Sequence, residues 1–247
     1  MHLRSLSAPI AASASRLRDN LEALRRRIDD ARARGALAAP SVTVVVVTKS
    51  APPEAFGLLA RLGARDVGEN RVQAAAQRRP DAPPGLVWHG IGHVQTNKAR
   101  RAAQTFDVFH ALDSLRLAEH LDAAREGAAL RLPVYAQVHA ARDPAKGGIA
   151  PDDVPAFLDA VARLPRLELV GLMTMAKESD DPEDARDAFR TLREVRDDAV
   201  AKGRGGVPAL GLSMGMSGDF EVAVEEGATV VRVGRAVWDG VFSGEGA

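Results

Sequence analysis

Cysteine is absent from this chain of 247 residues. That excludes disulfides, thiolate nucleophiles and Cys-ligated metals together, and it fits a cytoplasmic setting. An excess of one charge sign is missing too. Lysine plus arginine and aspartate plus glutamate each number 33, so the formal net charge is zero. Such a balance offers no electrostatic footprint for nucleic acid or a membrane surface; any charged focus must be local. No apolar run approaches the roughly 18 residues of a membrane span. The opening stretch, MHLRSLSAPIAASASRLR, is rich in Ser, Ala and Arg, as transit peptides are. It lacks a continuous apolar segment and runs into a helical pattern, so it is read as structure. Linkers and low-complexity tracts are also missing, and GRGG at 203–206 reads as one loop between elements. What is present is 46% hydrophobic residues, enough to bury a sizeable core. The expectation is one domain over 1–247.

Ser7 reads as an N-cap with Pro9 in the following turn. Apolar residues then recur at Ile10, Ala14, Leu17, Leu21, Leu24 and Ile28, the spacing of one helix face. Gly35 stops this helix, which over 1–36 is expected to pack on the remainder of the chain. Next comes VTVVVVT at 42–48, β-branched and without alternation. A strand covered on both faces reads that way, and such strands belong to parallel sheets. Further strands are expected at Asp66–Gly68, Val87–Gly90, Val108–Ala111, Val134–His139, Leu167–Thr174, Ala209–Leu212 and Val230–Val233. Helical patterns separate them, at Pro53–Leu62, Arg71–Arg79, Lys98–Gln104, Leu115–Arg125, Asp152–Arg163, Pro182–Lys202 and Gly218–Glu226. Eight strands alternating with helices, in a chain near the roughly 250 residues typical of such folds, predict a closed (β/α)8 TIM-type barrel. The barrel proper spans 42–240.

In a parallel barrel, active groups stand where strands end at their C-terminal edge. Lys49 closes the run of valines. Partial desolvation there lowers an amine's pKa and favours a Schiff-base nucleophile; the alternative is a solvated lysine at a strand end. Asn70 follows the second strand, either as a polar group at the barrel mouth or as a helix cap. His89 and His93, four apart in WHGIGHVQTNK, have metal-pair spacing on a helix. They flank glycines at a strand end, so a structural loop with a polar rim is favoured and no metal is expected. Met173 and Met175 are read as core filling.

The last quarter says most. The seventh strand runs into Ser213-Met214-Gly215-Met216-Ser217-Gly218, and the eighth into Arg232-Val233-Gly234-Arg235. Barrels often hold phosphate on these two loops, with small residues and backbone N–H groups; two tight turns with a capping serine are the alternative. A Schiff-base lysine and a phosphate cup converge on pyridoxal 5'-phosphate (PLP), which carries an aldehyde at one edge and a phosphate at another.

The chain resembles the pyridoxal phosphate homeostasis proteins, which share the barrel of the alanine racemases. The matching segments are VVTKS around Lys49, VGENRVQ at 67–73, WHGIGHVQTNK at 88–98 and HALDS at 110–114. KGGI at 146–149, GLMTM at 171–175 and LSMGMSGDFEVAVEEGATVVRVG at 212–234 come after them in order. The resemblance implies that Lys49 carries PLP through a Schiff base. It implies that Ser217 and the backbone N–H groups of Gly234 and Arg235 hold the phosphate, with Ser213 nearby. By analogy with the racemases, Arg232 faces the pyridine nitrogen, Asn70 lies beside the cofactor and Met214 packs near it. An arginine there leaves the nitrogen unprotonated, a weak electron sink suited to holding the cofactor. The sequence departs from the family at Thr48, at Val67 and at Arg235, where Ser, Phe and Thr are common. A backbone contact survives the last change; a side-chain hydroxyl contact does not.

The implied function is intracellular PLP (vitamin B6) homeostasis. The expected protein is a cytoplasmic monomer that binds, buffers or delivers PLP to PLP-requiring apoenzymes, without established turnover. Two alternatives stand. A PLP-dependent racemase needs acid/base groups on both substrate faces, and the only tyrosine is Tyr135, on the fifth strand. A Schiff-base aldolase on a phosphorylated substrate would use Lys49 directly, although such lysines more often lie mid-way through the strand order.

Overall fold

The computed structural model describes residues 8–141 and 147–242. Ser7, the expected N-cap, and Lys146 of the KGGI segment lie outside the described residues. Eight parallel strands close into a barrel in sequence order: β1 (Thr43–Val47), β2 (Asp66–Glu69), β3 (Val87–Gly90), β4 (Val108–Leu112), β5 (Leu132–Gln137), β6 (Leu167–Met173), β7 (Gly211–Ser213) and β8 (Val230–Val233). Closure runs through β1 and β8, with Val45 opposite Arg232. Around it stand α1 (Ala8–Arg34), α2 (Glu54–Arg61), α3 (Val72–Arg78), α4 (Ala99–Thr105), α5 (Leu115–Ala124), α6 (Val154–Val161), α7 (Arg186–Ala201), α8 (Phe220–Glu225) and α9 (Arg235–Trp238).

Where elements begin differently from expectation, local chemistry explains it. Pro151 and Pro182 open single 3-10 turns ahead of α6 and α7, because proline fits the first turn, where its missing N–H costs nothing. The eighth-strand loop continues into α9, too short for periodicity to reveal. The start of α8 retreats from Gly218 to Phe220, because Asp219 Oδ1 accepts the Met216 N–H at 2.6 Å and draws the preceding residues into a turn.

The first helix secures the last two. Its buried stripe runs through Ala14, Leu17, Leu21, Leu24, Ile28 and Ala31. Polar residues beside that stripe bind the chain's far end. Ser13 Oγ donates to Val241 O at 2.7 Å, and Asn20 Nδ2 donates to Val237 O and Asp239 O at 2.9 and 2.8 Å. Arg27 and Arg34 pair with Glu221 and Glu225 of α8. Gly35 comes next because the chain passes tightly against α8: a methyl group there would stand 2.6 Å from the Glu225 Cα. Thus α1 ties down the helices beyond the β7 and β8 loops.

The barrel interior is filled partly by rings, and glycine makes the room. A methyl group at Gly171 would lie 2.4 Å from the Gly211 carbonyl oxygen and 2.5 Å from the Tyr135 ring. That ring cannot retreat, being stacked on His110 at 4.4 Å. Gly171→Ala is therefore expected to cost about 2–3 kcal/mol as an overpacking strain. The check is urea unfolding, where the midpoint falls and the slope stays unchanged.

Candidate functional site

The end of β1 is fixed from two sides. Trp238 Nε1, on α9, donates to the Val47 carbonyl at 2.7 Å. Thr48 is buried, and its N–H donates to Gly68 O at 2.9 Å. Its carbonyl accepts from Arg78 Nη1 at 2.8 Å. The same Arg78 nitrogen binds the buried Glu69 carboxylate at 2.6 Å, and Thr48 Oγ1 donates to that carboxylate at 3.1 Å. Lys49 springs from this clamped segment. The desolvation expected from the valine run is not there: burial stops at Thr48, and Lys49 is exposed. Its nearest neighbours in sequence, not its own burial, hold it in place.

Across the mouth, the β7 and β8 loops are built as one unit. Gly215 takes a φ of +94°, and a methyl group there would collide with Ala223 Cβ at 2.6 Å. This lets the chain turn back so that Arg232 N–H donates to Gly215 O at 2.9 Å. Burial pushes the Asp219 carboxyl pKa up, opposed by the Met216 N–H that it accepts. Ser217 Oγ then accepts the N–H groups of Gly234 and Ala236 at 3.3 and 3.4 Å, joining the two loops.

Lys49, Ser217, Arg232, Gly234 and Arg235 line a single cleft of about 410 Å³. Arg232 is buried, donating to Ser213 Oγ at 2.8 Å and to the Thr174 carbonyl at 2.9 Å. Burial lowers its guanidinium pKa to about 10, with Asp219 acting the other way. It therefore remains a cation at neutral pH. The cleft joins an amine, a hydroxyl with backbone N–H groups, and a guanidinium floor. That set suits a ligand with an electrophilic carbon and an anionic end.

Other residues fall elsewhere. Ser213 lies fully buried beneath Arg232, and Met214 is fully buried in the core, so Met216 is the methionine that lines the cleft. Asn70 is exposed and does not cap α3, whose N-cap is Arg71. Lys177 also lines the cleft. It stands just past the end of β6, where the reasoning applied to Lys49 would have found it. His89 and His93 do not share a ligand: His89 Nε2 lies 2.9 Å from Asp66 inside the barrel, and His93 is exposed and 2.7 Å from Asp113. Among the described residues, no three His, Cys, Asp or Glu side chains converge as a metal site.

Tyr135 points into the barrel rather than into the cleft. Burial raises its phenol pKa to about 12, and the nearby Asp66 charge adds to the shift. A phenol whose folded pKa exceeds its unfolded value stabilises the fold fully below about pH 10, and that contribution is lost as pH rises toward 12. Tyr135 is the only tyrosine, so absorbance at the tyrosinate band reads it alone. The native midpoint is expected near 12 and the denatured midpoint near 10.

A family model described as alanine racemase, N-terminal domain, matches residues 15–240. A Pseudomonas aeruginosa relative named pyridoxal phosphate homeostasis protein is 36% identical over 225 residues, covering 91% of this chain and 95% of its own length. The Escherichia coli K12 relative of the same name is 34% identical, covering 89% and 94%. Among solved structures, PipY of Synechococcus elongatus with PLP bound superposes with a TM-score of 0.77 at 31% identity, covering 90% of this chain and 99% of that one. Clostridium difficile alanine racemase shares the fold, with a TM-score of 0.69 at 14% identity over 55% of its length. By its barrel and by these matches, the chain belongs to the alanine racemase N-terminal domain family, among relatives named pyridoxal phosphate homeostasis protein.

Proposed function

We propose that this protein binds PLP reversibly, with Lys49 as its covalent anchor, and serves to hold and deliver the cofactor. The observation that carries the reading is that Lys49 and the joined β7 and β8 loops line the same cleft. The residues present fit the group chemically. The Lys49 amine can capture an aldehyde, and the Ser217 hydroxyl with the Arg235 N–H can hold a phosphate, the Gly234 N–H joining them once it leaves Ser217 Oγ. Arg232, a donor that cannot accept, suits an unprotonated ring nitrogen. PLP, when bound, supplies an aldehyde for capture by an amine and a ring that draws electrons from attached carbon.

The protein's own groups favour holding over turnover. Arg232 does not pass a proton to the ring nitrogen, which limits the pull on electrons. A racemase needs a second acid/base group on the opposite substrate face, and Tyr135 is committed to the barrel interior, stacked on His110. The carrier is read as a monomer whose partners are PLP-requiring apoenzymes. No helix among the described residues is long and apolar enough to cross a membrane.

Absorbance titration of the full chain with PLP, and then with pyridoxal, tests the reading. Saturable binding of one PLP per chain is expected. Pyridoxal, which lacks the phosphate, is expected to bind at least about a hundredfold more weakly, since charged hydrogen bonds of about 1.5–3 kcal/mol each are forgone. Equal affinity for the two would refute a phosphate cup on these loops.

A further inference from the structure

Behind the cleft, a line of hydrogen bonds crosses the barrel. Arg232 Nη1 stands 2.8 Å from Ser213 Oγ, which stands 2.8 Å from His110 Nδ1. His110 Nε2 lies 2.8 Å from His89 Nδ1, and His89 Nε2 lies 2.9 Å from Asp66 Oδ1. The five side chains come from β8, β7, β4, β3 and β2 in turn. Arg232, Ser213, His110 and His89 are all buried, while Asp66 keeps 32% of its side chain exposed. One end therefore meets the Lys49 cleft. The other opens β2 at the base of the barrel, on a separate cleft of about 440 Å³ under α1.

Counting donors and acceptors gives this line a direction. Arginine only donates, so Ser213 Oγ accepts from Arg232 and turns its own hydrogen toward His110 Nδ1. His110, if neutral, then carries its proton on Nε2 and donates to His89 Nδ1. His89 in turn carries its proton on Nε2, facing the Asp66 carboxylate, which only accepts when ionised. With His89 neutral, the opposite order would set a bare nitrogen of that ring against a carboxylate. It would also leave the Ser213 hydrogen without a partner among these five groups. Burial keeps His110 neutral, and the positive charge of Arg232 pushes its pKa down in the same direction. Stacking on Tyr135, at 4.4 Å and 11° between ring planes, holds the His110 ring in register. A cation at one end and an anion at the other thus order the two rings between them.

We propose that His110 and His89 are positioning residues for the bound cofactor: they keep the Ser213 hydrogen turned away from the cleft, so that Arg232 is the donor facing the ring nitrogen. This inference rests on the PLP reading above. Two of the five arginine N–H groups are committed, to Ser213 and Thr174, which fixes the plane of the guanidinium and leaves the others for the ligand.

The first test needs no cofactor. Long-range proton–nitrogen NMR of the imidazoles in the full chain without PLP, assigned through His110→Gln and His89→Gln, reads each tautomer. Both rings are expected in the neutral Nε2–H form at neutral pH. An imidazolium or an Nδ1–H form at either ring would overturn the proposal. The second test uses His110→Phe, which keeps a ring against Tyr135 and removes both hydrogen bonds. Its PLP affinity is expected to weaken about tenfold, from the loss of charge-linked hydrogen bonding. The absorption maximum of bound PLP is expected to shift, with Lys49 still the reduced residue and with partial recovery in His110→Gln. Unchanged affinity and spectrum in His110→Phe would overturn it. If that variant fails to fold, Asp66→Asn at the partly exposed end serves instead: a shift of the bound-PLP absorption maximum from the wild-type position supports the proposal, and none overturns it. A wild-type chain with both Nε2–H tautomers that binds no PLP would refute the cofactor reading, and the positioning role with it, while leaving the hydrogen-bonded line intact.

Discussion

Lys49→Ala is expected to abolish the visible absorption band and the borohydride-stable adduct of bound PLP completely, while leaving the fold unchanged. Two lysines line the cleft, Lys49 and Lys177, so the choice between them has to be argued. Lys177 lies in the loop beyond β6, outside any strand. Lys49 comes directly after a segment held by Trp238 at Val47, and by Gly68, Glu69 and Arg78 at Thr48. A covalent anchor gains most from a backbone that is already in place, because little freedom remains to be lost on binding. Lys177→Ala is therefore expected to keep the adduct. Lys49 is exposed, and substitutions at such positions usually stay within about 0.5 kcal/mol. The melting temperature should accordingly move by no more than about 2 °C in a chain of this size. An adduct that persists in Lys49→Ala and vanishes in Lys177→Ala would transfer the anchor to the β6 loop.

The second large effect is expected at Arg78, which does not line the cleft. Its guanidinium is the ion-pair partner of Glu69, whose side chain is 1% exposed. Removing one member of a buried pair leaves the other charge uncompensated, at a typical cost of about 3–5 kcal/mol. Arg78 is itself 27% exposed, so water can reach the gap and soften the loss. Arg78→Met is expected to destabilise the fold by about 2–3 kcal/mol, a fall of roughly 5–10 °C in melting temperature. Glu69→Gln should cost far less. It keeps an oxygen for Thr48 and Arg78, and the charge left behind is the one that solvent can reach. Denaturant unfolding of both variants decides the matter: equal losses would mean that the pair's burial is not what makes it matter. Arg78→Met should also slow PLP capture, since it frees the Thr48 carbonyl one residue from the anchor.

Much of this architecture was legible in the residues. The valine run at 42–48 announced a strand covered on both faces, and the recurrence of short apolar strands and helical patterns gave the barrel. Boundaries shifted where proline opened a 3-10 turn, and where Asp219 spent its carboxylate on Met216 instead of on α8. Lys49, Ser217, Arg232, Gly234 and Arg235 were expected at the mouth and do line one cleft. Two readings gave way to packing. Lys49 is not desolvated, because the strand's burial ends one residue earlier. Met214 turns inward, and Met216 takes its place. The line from Arg232 to Asp66 went unread because His89 was paired with His93 by spacing along the chain. Its partners, at 66, 110 and 213, are distant in sequence and meet only when the barrel closes. A signal existed: Asp66, His89, His110, Ser213 and Arg232 are all polar residues inside apolar strands, and in a closed barrel inward-facing polar groups must find one another.

The most direct measurement is the absorption spectrum of the purified full chain with added PLP, followed by borohydride reduction and peptide mapping by mass spectrometry. A visible band and a single reduced adduct on Lys49 are the predicted result. Absence of the band, or an adduct on Lys177 or another lysine, would contradict the account.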